Sequence, residues 1–304
     1  MGSPLRLTVG RGAVGRDQAV DRWRAVVDEF ELAEAAMSRF RETSEVTVLN
    51  QIAGSGAAVR PSRRLRVALV ASDRAHRITG GRFDPRVLAD LDRLGYRGAP
   101  VGATGEGADQ SATATQRAGR VVEPGARRAL AYERPIDLGG IGKGLTLRWA
   151  TERLERTGAR DFLLEAGGDL VARGHDPDGD RWQVGIEDPA GGDDLAVVAL
   201  ADLAIATSSI RVNRWVADGR VLHHLIDPRT GEPAETGLVA VTVAGPDPVW
   251  AEVWSKVLFV GGRQAIASEA RARGLAAWWV ADDGTLEMTP SARAITIWVA
   301  AEAA

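Results

Sequence analysis

The sequence predicts an α+β fold in which helices flank mixed sheets. Two observations carry this prediction. Helical and strand patterns follow one another without sustained β-α alternation, which a doubly wound parallel sheet would show. Apolar residues make up 45% of the 304 residues, enough for a sizeable core. We therefore expect a single domain over residues 1–304.

The first third of the chain is mainly helical in pattern. Apolar residues at helical spacing predict one amphipathic helix over 17–37 and a second over about 62–78, which stops at Gly80. Residues 101–118 are small, polar and rich in glycine, which predicts a mobile surface loop.

The rest of the chain mixes strands with helices. A helix is predicted over 143–157, directly after a glycine-rich turn, and residues 162–174 predict two strands around a Gly-Gly reversal. The remaining predictions are β-type runs at 182–187, 195–208, 221–226 and 238–245, helices at 248–260 and 263–273, and closing strands at 275–281 and 294–299.

Composition and charge exclude several classes of function. A net charge of -3 offers no global positive field for nucleic acid. The absence of cysteine excludes disulfides, thiolate nucleophiles, thiolate zinc sites and iron–sulfur clusters. No apolar run approaches the ~20 residues that cross a bilayer, and the first residues do not resemble a secretory signal. We expect no membrane insertion and a cytoplasmic location, unless a leader was removed.

Two motifs could carry chemistry. In IDLGGIGKG (136–144) an acid, paired glycines and a lysine stand where a strand gives way to a helix, a pattern that favours either a tight turn or a phosphate site. In HHLIDPRTGEPA (223–234) two histidines end a strand beside a turn. A histidine there could act as a general base or simply face solvent.

Two further segments allow both a functional and a structural interpretation. The hydroxyls in AIATSSIRVNRW (204–215) suit phosphate or ring heteroatoms, but they suit neighbouring backbone equally well. Met37 and Phe40 could clamp a flat heterocycle, although core packing is their commoner use. Lys143 and Lys256 are the only lysines among 38 basic residues, so their positions are mildly informative.

Taken in order, these segments resemble one family. The strings MSRF, SEVTVLN, GGRFDP (80–85), IDLGGIGKG, EAGGDL (165–170), VGIEDP (184–189), ATSS, HHLIDPRTGEP and AEVWSKVLFVGG (251–262) resemble the ApbE-like FAD:protein FMN transferases. The resemblance implies an α+β domain that splits the FAD pyrophosphate with magnesium. FMN passes to a Thr or Ser hydroxyl of an acceptor protein, and AMP is released.

The resemblance also implies roles for individual residues. It implies that His224 is the base, and that cofactor contacts come from Met37, Ser38, Phe40, Asp137, Gly139, Gly140, Lys143, Thr207 and Ser208. Metal oxygens would come from Gly142 and Glu252.

The sequence departs from the family pattern at the metal pair. The family usually has Asp-x-x-x-Thr where this chain has Glu252 and Lys256. Glutamate can still ligate magnesium, but protonated lysine cannot. Magnesium use is therefore left open, and one hypothesis is that Lys256 replaces the metal, with Glu252 held in an i, i+4 ion pair.

Three other positions also differ from the family pattern. Arg148 stands where the family usually has an acid, Ser209 replaces a glycine, and Glu165 replaces an asparagine.

Three functions stay open at this point. The first is transfer of FMN to a protein hydroxyl, with altered or lost magnesium use. The second is FAD binding without transfer, as a flavin carrier or regulator, and the third is hydrolysis of the FAD pyrophosphate. The partners expected are FAD and an acceptor protein.

Overall fold

The computed structural model describes residues 4–10, 15–96, 120–122 and 129–301. The loop predicted at 101–118 lies outside the described residues. The described helices are α1 Arg16–Met37, α2 Glu45–Gln51, α3 Arg63–Ile78, α4 Leu88–Arg93, α5 Gly142–Arg156, α6 Pro248–Gly261, α7 Arg263–Ala272 and α8 Pro290–Arg293.

Sixteen strands are described. They are β1 Leu5–Val9, β2 Ala58–Arg60, β3 Arg120–Val122, β4 Phe162–Ala166, β5 Asp169–Arg173, β6 Trp182–Ile186, β7 Ala196–Leu200, β8 Ala204–Ser209, β9 Arg214–Ala217, β10 Arg220–His223, β11 Ile226–Asp227, β12 Glu232–Pro233, β13 Leu238–Gly245, β14 Ala276–Ala281, β15 Leu286–Met288 and β16 Thr296–Val299. The predicted α+β class is confirmed.

A seven-stranded sheet forms the centre of the fold, in the order β1-β4-β5-β8-β13-β14-β15. Its neighbouring strands pair in antiparallel register. The predicted reversal between β4 and β5 is confirmed, because Gly167 and Gly168 both adopt positive φ there. The run predicted at 195–208 is two strands, because Asp202 turns the chain at φ 53 between β7 and β8.

The smaller sheets flank this centre. β16, β7 and β6 form a three-stranded sheet, whereas β9–β10, β11–β12 and β2–β3 are two-stranded. Among the described residues, no helix combines the length and the apolar character that a membrane span requires.

Helix α6 is the buried helix that positions the site. It begins at Asp247, whose carboxylate accepts a hydrogen bond from the Val249 backbone N–H, with Pro248 in the first helical turn. Most of its residues are buried, since it packs against β8, β13 and α5. A helix that is apolar on nearly every side belongs in a core.

Helices α5 and α6 approach each other closely at Gly144. A Cβ atom on Gly144 would lie 2.6 Å from the Pro248 carbonyl oxygen and 2.8 Å from the Val249 Cα. Only glycine permits this contact without movement of one helix. The close crossing brings the first turn of α5 within hydrogen-bond reach of side chains on α6.

Replacing Gly144 with alanine is expected to destabilise the protein by about 1–3 kcal/mol, because the added methyl group overpacks the crossing. Urea denaturation of Gly144→Ala measures this loss. Gly245→Ala is the control, since a Cβ at Gly245 would meet nothing within 4 Å. Equal stability of the two variants would contradict the packing argument.

Candidate functional site

The glycine turn before α5 is held by Asp137. One carboxylate oxygen of Asp137 accepts the Gly139 N–H at 2.5 Å, and the Asp137 backbone N–H donates to the Pro85 carbonyl at 2.7 Å. The other carboxylate oxygen lies 2.5 Å from Nε of Arg39. The carboxylate of Asp137, together with the glycines, therefore fixes the path of the chain into α5.

Lys143 forms a buried ion pair with Asp169. Lys143 Nζ lies 2.7 Å from Oδ2 of Asp169, and Oδ1 of Asp169 accepts the Thr207 N–H at 3.1 Å. Burial alone would lower the pKa of Lys143, but the carboxylates of Asp169 and Glu252 raise it above its usual value. Lys143 is therefore charged throughout the physiological pH range, and its position links α5 to β5 and β8.

Glu252 lies at the start of α5 although it belongs to α6. Its Oε2 accepts the Gly144 N–H at 2.8 Å, and its Oε1 lies 3.7 Å from Nζ of Lys256. The residue is 1% exposed, and burial raises the pKa of its carboxyl while Lys256 and Lys143 oppose that rise. Gly140 leaves space for the Lys256 stem, since a Cβ there would lie 3.3 Å from the lysine Cδ and Cε.

His224 lies near enough to these two lysines for their charges to act on its ring, which also has a hydrogen bond with the Val212 backbone. Its Nδ1 is buried and has no hydrogen-bond partner among the described residues. Burial lowers the pKa of His224 to about 3, and the charges of Lys256 and Lys143 add to this effect. The imidazole is therefore neutral at physiological pH and can accept a proton, as the general-base prediction requires.

An aromatic cluster borders the turn. The guanidinium of Arg39 lies 4.3 Å from the Phe40 ring centroid and 5.1 Å from that of Tyr96. The Tyr96 ring in turn lies 5.0 Å from Trp215 and 6.4 Å from His224. Phe40, at 57% exposure, is available to a ligand.

The remaining predicted cofactor residues are occupied by internal contacts. Ser208 is buried, with its Oγ 2.8 Å from that of Ser255 on α6, and the Thr207 hydroxyl lies 2.9 Å from that of Thr242. Met37 is in the hydrophobic core, and the Ser38 carbonyl accepts the Ser44 hydroxyl at 2.6 Å. Their binding of cofactor atoms stays a prediction.

The residues predicted to hold magnesium do not fit that ion. The two Glu252 oxygens already face the Gly144 N–H and the Lys256 ammonium, and the Gly142 carbonyl accepts the Thr146 hydroxyl at 2.7 Å. Magnesium requires several oxygen ligands in near-octahedral geometry. Within the part of the chain that the structure describes, no group of three acidic or histidine side chains could hold a metal.

A cavity of about 490 Å³ lies elsewhere, beside the turn that follows the histidines. Its lining includes Asp227, Arg229, Thr236 and Arg263, and none of the predicted site residues lines it. The chemistry-bearing residues thus meet at the start of α5 and not in this cavity.

The sequence reasoning missed three contributors to the site. Asp169 pairs with Lys143, Arg39 holds Asp137, and Tyr96 joins Phe40 to His224. Asp169 lies within the EAGGDL string, so an acidic residue directly after the Gly-Gly reversal could have indicated a site residue. Arg39 lies within the MSRF string, between Ser38 and Phe40, whereas nothing in the sequence pattern singles out Tyr96.

The site thus consists of a glycine turn at a helix start with the ammonium groups of Lys143 and Lys256 beside it, an arrangement that favours an anionic ligand. The family follows from sequence comparison. The model of the ApbE family matches residues 1–279, and the chain belongs to that family.

Relatives and solved structures agree with this assignment. An FAD:protein FMN transferase of Klebsiella pneumoniae is 32% identical over 171 residues, which are 54% of this chain and 49% of that protein. One from Vibrio cholerae is 28% identical over 262 residues, 84% of this chain and 78% of that protein. The chain spans about half the length of the first curated relatives it matches.

Two crystal structures share the fold. Flavin transferase ApbE from Vibrio cholerae matches with a TM-score of 0.76 and 22% identity, covering 97% of this chain and 96% of that one. The ApbE protein from Thermotoga maritima matches with a TM-score of 0.77 and 22% identity, covering 96% and 99%.

The buried His224 makes the stability of the protein depend on pH. The pKa of about 3 in the folded state lies below the usual unfolded value near 6.5, so its contribution is complete above about pH 6.5 and is lost as pH falls. Urea denaturation at a series of pH values should show His224→Gln losing less stability than the wild type between about pH 6.5 and pH 4.

The control for this measurement is His175→Gln, because the His175 side chain is 60% exposed. It should follow the wild type. An identical pH dependence for the wild type and His224→Gln would contradict the burial argument.

Proposed function

We propose that the protein is an FAD:protein FMN transferase that uses FAD as donor, modifies a Thr or Ser hydroxyl of an acceptor protein and releases AMP. The observation that carries this proposal is that Lys143 and Lys256 both lie at the glycine turn that opens α5, with His224 near enough for their charges to lower its pKa. The membership of the chain in the ApbE family supports the same activity.

The proposed reaction is a transfer at phosphorus. The acceptor oxygen forms a bond to the phosphorus of the FMN half of FAD, and the bond from that phosphorus to the AMP oxygen breaks. His224 takes the hydroxyl proton and later returns it to the leaving AMP or to water. Charge grows on the pyrophosphate oxygens during the step, so fixed cations beside them lower the barrier.

The donor would bind along the glycine turn. Gly139 and Gly140 let a ligand approach the backbone, and Lys143 supplies positive charge at the start of α5. The exposed Phe40 ring offers a surface on which a flat ring system can stack. Asp137 acts by holding the turn, because both of its oxygens already have partners.

Magnesium use is altered or lost in this proposal. When bound, magnesium would supply Lewis-acid stabilisation of the pyrophosphate charge. Lys256 stands at the family position of a hydroxyl, and its ammonium occupies the space beside Glu252. The side chain therefore brings one positive charge to the place where the family uses the ion. Because a single charge polarises phosphorus less than a divalent ion does, we expect slow transfer.

A second candidate function is FAD binding without transfer. The Glu252–Lys256 pair favours it, since an ammonium replaces the hydroxyl of the family and pairs with the remaining carboxylate, while the glycine turn is intact. Hydrolysis of FAD, with water in place of the acceptor hydroxyl, needs the same base and cations. In each case we propose that the protein acts in the cytoplasm as a single catalytic domain over residues 1–304.

Product analysis separates the three functions. Incubation of the protein with FAD and a candidate acceptor should give covalent flavin on the acceptor together with free AMP. Free FMN with AMP would indicate a hydrolase, and unchanged FAD retained by the protein would indicate a carrier. Mass spectrometry of the acceptor and chromatography of the nucleotides provide both readouts.

His224→Gln should lower kcat for transfer by about 10²–10⁴-fold, because it removes the proton acceptor. The Kd for FAD, measured by flavin fluorescence, should change little in this variant. His175→Gln again serves as the control and should transfer at the wild-type rate. Wild-type transfer by His224→Gln would show that another group is the base.

Chelation tests the proposed role of Lys256. Transfer by the wild type should proceed at the same rate with EDTA or with magnesium. The double variant Glu252→Asp with Lys256→Thr, which restores the family pair, should require magnesium. If wild-type transfer vanishes on chelation and returns with magnesium, the ion binds after all and the proposal is wrong.

A further inference from the structure

The hairpin formed by β9 and β10 connects two parts of the site. It begins just after β8, which carries Thr207 and Ser208, and it ends at His223, next to His224. Its turn is tight, because Asp218 and Gly219 adopt φ 52 and φ 75, as a two-residue type I′ turn requires. Both ends of the hairpin therefore join residues of the site.

One face of this hairpin is anchored in the protein. Trp215 donates from Nε1 to the Leu94 carbonyl at 2.7 Å and stacks on Tyr96. Leu222 pairs with Trp215 across the strands and is buried in a small apolar cluster with Leu91, Leu94 and Ile226. The hairpin is therefore fixed in orientation.

The opposite face carries exposed apolar side chains. Val216 and Val221 lie directly opposite each other in the register and are 70% and 59% exposed, and Val212, just before β9, is 59% exposed. The next pair on this face is His223 with Arg214. The exposed pair Val216 and Val221 therefore lies on the same face as His223, which directly precedes the proposed base His224.

The charge of this face defines the chemistry of its partner. Arg214 is exposed on the same face as the valine pair, and exposed Arg211 lies just before β9, whereas Arg220 pairs with Ala217 on the anchored face. Asp218 at the turn is the only acid between residues 210 and 223. Within the described part of the chain, no ion pair engages Arg211 or Arg214. A cation in line with two valines complements an extended segment that alternates apolar and acidic side chains.

A two-stranded sheet also has free edges. β10 pairs only with β9 among the described strands, so its other edge presents unpaired backbone groups. An extended peptide can add to such an edge as a further strand, and side chains on the adjoining face then supply specificity. A strand added to β10 would run toward His223 and His224.

We propose that the face of Val216 and Val221, with Arg214 in line with them and with Arg211 and Val212 just before β9, is the docking surface for the acceptor protein. The bound segment is extended, apolar and acidic, and it brings its Thr or Ser hydroxyl to His224. The inference rests on the proposed transferase function, because an acceptor segment is needed only if the flavin is transferred to protein.

The test uses the full chain and a defined probe. The probe is a fluorescent synthetic peptide with a central Thr between alternating Val and Glu residues, and the matched probe carries Lys in place of Glu. Anisotropy should show that the acidic peptide binds and that the basic one binds at least about tenfold more weakly, a difference of about 1.4 kcal/mol. Absence of binding by the acidic peptide would overturn the proposal.

Variants then place the peptide on the molecule. Val216→Glu and Val221→Glu should each weaken binding of the acidic peptide about tenfold or more, because they remove apolar contact and repel its charge. Arg214→Glu should reverse the preference between the two peptides. Val70→Glu is the control, because Val70 is 62% exposed on α3 and lies outside the hairpin.

Equal weakening by Val70→Glu would overturn the proposal. So would a wild-type dimer in light scattering that Val216→Glu converts to monomers, because the face would then pair two copies of this chain. Release of AMP from FAD in the presence of a candidate acceptor protein, measured in parallel, reports on the proposed function separately. Loss of peptide binding with unchanged AMP release contradicts the docking surface alone.

Discussion

The arrangement of the site depends on one buried carboxylate, that of Glu252. It reaches from α6 to the first turn of α5 and accepts the Gly144 N–H, so it occupies a helix N-terminus where an anion is stabilised. Its second oxygen faces the Lys256 ammonium at 3.7 Å. A buried charge needs a counter-charge and hydrogen bonds, and Glu252 has the Lys256 ammonium and the Gly144 N–H, while Oε1 accepts no hydrogen bond among the described residues. We propose that these contacts keep Glu252 from acting as a metal ligand.

The charges around this carboxylate form a balanced set. Lys143 pairs with Asp169, Lys256 pairs with Glu252, and His224 lies near both lysines as a neutral ring. Because an ammonium group has three N–H donors, each lysine can contact a ligand and still remain paired with its carboxylate. The low pKa of His224 follows from the same set, since two nearby cations and burial both oppose protonation. Arrival of an anionic pyrophosphate would favour protonation of that ring, which is the direction that general-base catalysis requires.

Much of this architecture could be predicted from sequence, because it depends on local patterns. The helix over 143–157, the Gly-Gly reversal at 167–168 and the strand at 238–245 follow from periodicity and turn residues, and the structure has all three. The ion pair at i, i+4 was also predictable from spacing alone. By contrast, the division of residues 195–208 into two strands depends on the single positive φ of Asp202, which no periodicity reveals.

The parts that sequence did not reveal are contacts between distant segments. Arg39 reaches Asp137 across almost a hundred residues, and Glu252 meets Gly144 across a similar distance. Such pairs arise from the crossing of α5 and α6 and from the docking of the first helices. Local sequence patterns do not predict them. Similarly, the sequence predicts that the hydroxyl of Ser208 is free to bind a ligand. The packing of α6 on β8 instead places Ser255 within hydrogen-bond distance of it.

We propose that the Glu252–Lys256 ion pair takes the place of a bound metal ion. Calorimetric titration of magnesium into the FAD-saturated protein tests it most directly, with the same titration into free FAD as the reference. The two titrations should give the same heats, because the carboxylate and the ammonium leave no site for the ion. A stoichiometric binding isotherm seen only with the protein present would contradict the claim.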